Sequence, residues 1–188
     1  MKQSARETLV NTMIDIIAGY GFDGLSVRGL AAAAGVSVGA VQHHFPSKSA
    51  MVEAAMAAVE STAFERYAQL DQIAEPADKL HAVADLLIPG EGTDRIARVW
   101  IAFAARAAVD DKTSDTYTRL WTRLRSGLRL LIAASSGRSE TAADAAHELL
   151  SLLDGLTLSV IAEGMDPARA RQIAHRRVDE IVRQQVCS

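Results

Sequence analysis

Several things are scarce in this chain, and each scarcity excludes something. Its 188 residues hold a single cysteine, Cys187, so no internal disulfide can form and a reducing compartment is expected. Beside the C-terminus, that thiol has no evident role. Only four prolines interrupt the chain, which leaves long stretches free to be helical. Near the start, Asn11, Thr12 and Asp15 break up any apolar leader. No stretch approaches the ~18 uninterrupted apolar residues that a membrane helix needs. A cytoplasmic protein without a membrane partner is therefore expected. The net charge is only −3, so nucleic-acid binding, if present, has to be local. Up to Lys48 the four basic residues Lys2, Arg6, Arg28 and Lys48 face three acidic ones, a small excess in that direction. Repeats and low-complexity segments are absent.

Catalytic signatures are missing as well. There is no G-x-x-x-x-G-K phosphate loop, no H-E-x-x-H and no serine-elbow pentapeptide. Gly35 to Gly39 is not preceded by a predicted strand, so a dinucleotide fingerprint fails there. Glu53, Glu60 and His81 show no spacing logic. His43 and His44 are adjacent, pointing about 100° apart on a helix, and cannot chelate one metal as an i,i+4 pair does. No catalytic residue, metal site or cofactor is expected, and a small helical enzyme is the least supported class.

What is present is helix, with apolar residues at 49% and charged residues at 23%, enough for a buried core. The informative stretch is LSVRGLAAAAGVSVGAVQHHFPSKSAM, Leu25 to Met51. Ser26 is placed to cap a helix over 27–34, and Gly35 follows it where a left-handed residue is easiest. Ser37 then caps a second short helix over 38–43. Two short helices about a glycine turn form a helix-turn-helix, whose second helix enters the DNA major groove. The outer positions of that helix are small or hydrogen-bonding, which suits close approach to base edges. Gln42 has the donor and acceptor that fit adenine N6 and N7. Val36 and Val41 are expected to pin the unit to its own core. Pro46-Ser47-Lys48 opens the next helix, with Lys48 at an N-terminus where a phosphate can be shared.

The rest of the chain reads as helices. The first runs over 5–20, with Leu9, Met13, Ile16, Ile17 and Tyr20 on one apolar face. A long connecting helix is predicted over 48–73, stopped at Glu75-Pro76. Further helices are expected from Pro76 to Ile88, from Thr93 or Asp94 to about Val109, over 114–134, over 141–163 and after Asp166-Pro167. The helix over 141–163 is apolar on more than one face and needs more than one neighbour. With the last helix it is expected to form a twofold dimer through a four-helix bundle. The fold class is thus all-α with about nine helices. It divides into a DNA-binding domain over 1–48, a connecting helix over 49–75 and a second helical domain over 76–188.

The pattern AxxAGVSxGxVxxHFPSK, preceded by GYGFDGLSVR, resembles the DNA-binding domain of TetR-type transcriptional regulators, closely over 6–55. The family usually has Tyr, a common phosphate contact, where this chain has Gln42, so base reading and phosphate anchoring both stay open at that position. The segments VWIAFAARAAVDD, YTRLWTRLRSGL and LLDGLTLSVI are similar to the betaine-regulator-like subgroup. The resemblance implies a dimeric regulator, a repressor released from a near-palindromic operator by a small-molecule effector. An architectural DNA-binding dimer without an effector is the alternative, distinguished by the lack of a cavity.

Candidate base-reading residues are Val38, Gly39, Ala40, Gln42 and His43, with Arg28, Ser37, His44 and Lys48 as phosphate contacts. Lys2 and Arg6 could reach a phosphate or the minor groove, or simply be solvated. For the effector, Trp100, Phe103, Tyr117 and Trp121 hold most large aromatics of the second domain and could line a cavity or simply form core. Asp154 stands in an apolar helix where an unpartnered carboxylate is costly. Pairing with Arg125 or Arg129, capping next to Gly155 and facing a cationic ligand are the open roles.

Overall fold

The computed structural model describes residues 4–90, 94–137 and 139–183. Lys2, Thr93 and Cys187 lie outside these. Among the described residues there are nine α-helices and no strand. In chain order they are α1 Ala5–Tyr20, α2 Val27–Ala34, α3 Val38–His44, α4 Lys48–Ala68, α5 Pro76–Leu87, α6 Asp94–Ala107, α7 Asp111–Ser136, α8 Ala142–Glu163 and α9 Pro167–Arg183.

Local chemistry explains most of the ends. Ser4 caps α1 in a reciprocal box with Glu7. Ser26, Ser37 and Ser47 each accept from the backbone N–H three residues on, at 3.0–3.1 Å. Asp166 accepts from Ala168 N–H at 3.0 Å at the start of α9. Two expectations change. The connecting helix is α-helical only to Ala68 and closes in a 3-10 turn, Gln69–Gln72. And α7 starts at Asp111, because Asp110 takes the cap position and accepts from Thr113 N–H at 2.9 Å. Asp110 to Lys112, which the sequence leaves as a corner between two helices, are therefore the cap and the first two residues of α7.

Two hydrophobic cores result. The first joins α1–α4: Met13, Ile17, Leu25, Leu30, Val41, Phe45, Met51 and Val59 are buried together. The apolar face of α1 is Leu9, Val10, Met13, Ile14 and Ile17, whereas Tyr20 is 79% exposed. Tyr20 is the last residue of α1, where Gly21 turns the chain, and it falls outside the packed stripe. Val36 is also outside, at 41% exposure, because Gly35 ends α2 left-handed and swings Val36 away; only Val41 does the pinning. The second core gathers α5, α7, α8 and α9 around Leu80, Leu128, Leu149, Leu153 and Val178.

The two cores do not divide at residue 48. Val99 and Phe103 of α6 are buried in the first one, beside α1. Arg95 reinforces this contact, with Nε 2.7 Å from the Asp15 carboxylate and a terminal nitrogen donating to Asn11 O at 2.9 Å. At the other end of α6 the Arg106 guanidinium lies over the Phe22 ring. From α7, Lys112 meets Glu53 of α4 at 2.5 Å. That pair and a hydrogen bond from Ser49 hold the Glu53 carboxyl below its ordinary pKa.

Phe103 thus belongs to the DNA-binding half's core by packing. Replacing it with Ala should destabilise the whole protein by about 3–5 kcal/mol. Urea unfolding followed by far-UV circular dichroism and by tryptophan fluorescence should stay coincident while the midpoint falls. Loss of the N-terminal half in a separate early transition would contradict a shared core.

Candidate DNA-reading face and ligand cavity

The first site is the outer face of α3. Gly35 adopts φ 67° and ψ 31°, which a side chain would strain. The N–H groups of Gly35 and Val36 turn back to Ala32 and Ala31 at 3.3 and 3.0 Å, so the carbonyls at the end of α2 are satisfied. This tight closure sets α3 across α2. Val41 and Phe45 plug the inner side. Ser37, Val38, Gly39, Ala40, Gln42 and His43 are left exposed together on the outer side, and His44 is half-buried with its ring 6.2 Å from Phe45. Arg28 on α2 and Lys48 on α4 are exposed in the first turns of their helices. The Arg6 guanidinium sits over the Phe45 ring at 5.3 Å, which brings the start of α1 next to the end of α3.

The second site is a cavity of about 350 Å³ where the two cores meet. Its walls come from α4 (Phe64, Tyr67), α5 (Val83, Leu87), α6 (Ile96, Trp100), α7 (Leu120, Trp121, Leu124, Gly127) and α8 (Leu150, Asp154, Thr157). Thr157 Oγ1 donates to Leu87 O at 3.0 Å and fastens α8 to the end of α5. At Gly127 a Cβ would lie 3.4 Å from Tyr67 Oη, so the missing side chain leaves room for the tyrosine.

Of the residues proposed for an effector, Trp100, Trp121 and Asp154 line the cavity. Phe103 and Tyr117 do not; they stand behind it. Phe103 is 1% exposed and Tyr117 stacks on Trp121 at 4.3 Å between centroids. The rings form a chain: Trp100 meets Trp121 at 5.2 Å, Tyr117 meets Trp121, and Phe103 meets Tyr117 at 5.5 Å. Of the α4 aromatics, the sequence places Tyr67 on the stripe of a connecting helix and assigns neither it nor Phe64 to the cavity that both line. The i,i+4 spacings from Glu60 to Phe64 and from Ala63 to Tyr67 are the available signal.

Asp154 has no cationic partner within ion-pair distance among the described residues. Its Oδ2 accepts from the Trp121 indole N–H at 2.8 Å instead. Part of the residue stays accessible, toward the cavity and the outer edge of α8. Even so, desolvation dominates and pushes its pKa above the ordinary carboxylate value, against smaller opposing effects of the Trp121 bond and nearby Arg125. Burial, and then the Asp154 charge, push Tyr117 up to about 12. A carboxylate that accepts from one cavity-lining indole, with a second indole in the same wall and no cation paired to it, is a setting that favours a positively charged guest.

A raised pKa means the folded protein binds this proton more readily than the unfolded chain does. Asp154 therefore subtracts stability above its folded pKa, and the penalty fades as pH falls toward the ordinary carboxylate range. The Asp154→Asn variant should accordingly melt higher than wild type at neutral pH, with the gain shrinking on acidification. Thermal melts across a pH series would show this; a gain independent of pH would rule out a titrating origin.

Comparison with known proteins covers both halves of the chain. Residues 13–55 match the family described as bacterial regulatory proteins, tetR family, and residues 76–183 match the BetI-type transcriptional repressor C-terminal domain. The HTH-type transcriptional regulator BetI of Vibrio parahaemolyticus is 26% identical, covering 96% of this chain and 93% of its own. The regulator PksA of Bacillus subtilis is 29% identical over 94% of this chain and 86% of its own. Among solved structures, a transcriptional regulator from Rhodococcus sp. Rha1 is 31% identical, with TM-score 0.87 over 98% of this chain and 100% of its own. A regulator from Saccharomonospora viridis solved in complex with choline is 25% identical, with TM-score 0.86 over 93% and 95%.

Proposed function

Because this chain belongs to the TetR family of transcriptional regulators, with a BetI-type repressor C-terminal domain, we propose that it is a dimeric repressor released from a near-palindromic operator by a cationic small molecule. DNA binding and regulation are the family's function, and the chain is not an enzyme. The operator geometry, the dimer surface and the effector are our reading. One observation carries it: an aromatic-walled cavity with an unpaired carboxylate lies directly against the core that holds the recognition helix. That cavity also favours an effector-controlled regulator over an architectural dimer.

Each protomer would present α3 to one major groove, with Val38, Gly39, Ala40, Gln42 and His43 toward base edges. Arg28, Ser37, His44 and Lys48 would anchor phosphates. The two recognition helices then need a spacing of about 34–36 Å, one turn of DNA. The dimer would form through α8 and α9. Helix α8 is long and apolar enough by length and composition alone to cross a membrane. Its inward face is Ala146, Leu149, Leu150, Leu153 and Leu156, while Ser151, Gly155, Leu158 and Ala162 form an open stripe with Leu158 47% exposed. A small residue at Gly155, with nothing within 4 Å of where a Cβ would be, allows close approach of a second helix.

For the effector, the choline held by the Saccharomonospora regulator and the Asp154–Trp100–Trp121 corner of this chain support a substituted ammonium ion. Such a guest changes the packing of Trp100 and Trp121. Its differential affinity for the two domain arrangements would set the population that fits DNA.

Fluorescence-anisotropy titration of DNA from the gene's own upstream region tests this reading. Binding should be far tighter than the non-specific level of about 10⁻⁴–10⁻⁶ M and should weaken with salt. Tetramethylammonium should release the DNA. Gln42→Ala should weaken operator binding by about 1–3 kcal/mol and leave random duplex unaffected if Gln42 reads a base. Equal loss on both DNAs would assign it to phosphate. Failure of a random-site selection to yield any preferred sequence would overturn sequence-specific binding.

A further inference from the structure

The outer face of α3 carries no fixed cation. The helix, VGAVQHH, holds neither arginine nor lysine, and the exposed cations around it, Arg6, Arg28 and Lys48, stand on α1, α2 and α4. The commonest specific contact in a major groove, an arginine or lysine on guanine O6 and N7, is therefore not available to this helix. Successive residues turn by about 100°, so its exposed side chains fall in three rows. Gly39 and His43 run along the middle, opposite buried Val41. Val38 and Gln42, one turn apart, form one flank, and Ala40 forms the other. Val38 is 40% exposed, an apolar side chain held out in water. Among the described residues, a Cβ built at Gly39 would meet only Ser37 Oγ, at 3.9 Å, beyond the helix's own backbone. The face is thus uncovered along its middle row.

Apolar surface pressed on polar base edges strips them of water without a bond in return, which is a net cost. One apolar group is presented in the major groove, the C5 methyl of thymine. We infer that Val38 and Ala40 read thymine methyls, so that the selection made by α3 rests on methyl groups and the Gln42 amide and not on guanine. This rests on the DNA-reading role proposed for α3 and adds what that face selects. Val38 and Gln42 share a flank, so a thymine methyl and the N6 and N7 edge of an adenine are met within one turn of the helix. Gly39 puts no side chain between the helix backbone and the groove floor, which lets both flanks reach the bases. His43 does not reverse the preference, because the N7 atom that a ring N–H can reach is common to adenine and guanine.

Random-site selection with the full-length protein supplies the operator for the test. Each thymine is then replaced by deoxyuridine, symmetrically in both half-sites, which removes the C5 methyl and nothing else. At the contacted thymines the Kd should rise about fifteenfold, from about fourfold for each methyl lost in the two half-sites. With cytosine at the same positions, 5-methylcytosine should bind tighter than cytosine by a similar factor. In Val38→Ser the deoxyuridine penalty at one thymine should fall to within about twofold, while the melting temperature and the affinity for random duplex stay unchanged. If deoxyuridine is tolerated at every thymine, methyl reading is wrong and the regulator reading stands. If the penalty survives in a Val38→Ser, Ala40→Ser double variant, other side chains hold the methyls and the assignment fails. If selection yields no preferred sequence, the DNA-reading role falls with the proposal.

Discussion

Four aromatic rings join the two halves of this protein. Phe103 is sealed in the core that supports the recognition helix, and it touches Tyr117. Tyr117 stacks on Trp121, and Trp121 meets Trp100 on the cavity wall. Each such pair contributes about 0.5–1.5 kcal/mol beyond the area it buries. More important is that packed rings have few alternative arrangements. A close-packed interior switches between discrete packings and does not deform smoothly. A guest that spreads the two indoles must therefore be accommodated by a shift of α6 or α7, and both helices end on the DNA-binding half.

The ion pairs along this seam are secondary to the rings. Arg95 with Asp15 and Lys112 with Glu53 are partly or largely exposed, and pairs of this kind are worth about 0–1 kcal/mol after screening. Their contribution is one of register. Arg95 ties the start of α6 to the middle of α1, and Lys112 ties the start of α7 to the first turns of α4. Buried Val99 and Phe103 supply the binding energy between the halves, and the charges fix how those halves are aligned.

The local grammar of the chain was readable because helix ends are set by single residues. Ser26, Ser37, Ser47, Gly35 and the Asp166-Pro167 step stand where their chemistry requires. Where two signals compete, the reading slipped. Asp110 and Asp111 both suit the first turn of a helix, and only the Thr113 contact selects Asp110 as the cap. Tyr20 and Val36 fit an apolar period but lie at chain reversals, where periodicity no longer predicts the side that is buried. The cavity was less legible still. Trp100, Trp121 and Asp154 drew notice as large or misplaced side chains, yet Phe103 shares that appearance and is core. The contribution of α4 depends on how a connecting helix is laid against α7. That is a tertiary relation between residues about sixty apart, which no window along the chain contains. The indole partner of Asp154 was missed for the same reason.

The double duty of α6 has a bearing on how such a protein could change its guest. Trp100 faces the cavity while Val99 and Phe103, its immediate and next-turn neighbours, hold the DNA-binding half in place. Substitutions on this helix would alter recognition of the proposed guest and seating of the DNA-reading head together, so most would be lost before a new preference could emerge. The α4, α5 and α8 walls carry no such burden at Phe64, Leu86 or Thr157. New chemical tastes should thus accumulate on those three walls, with the tryptophan corner persisting as the inherited part of the pocket.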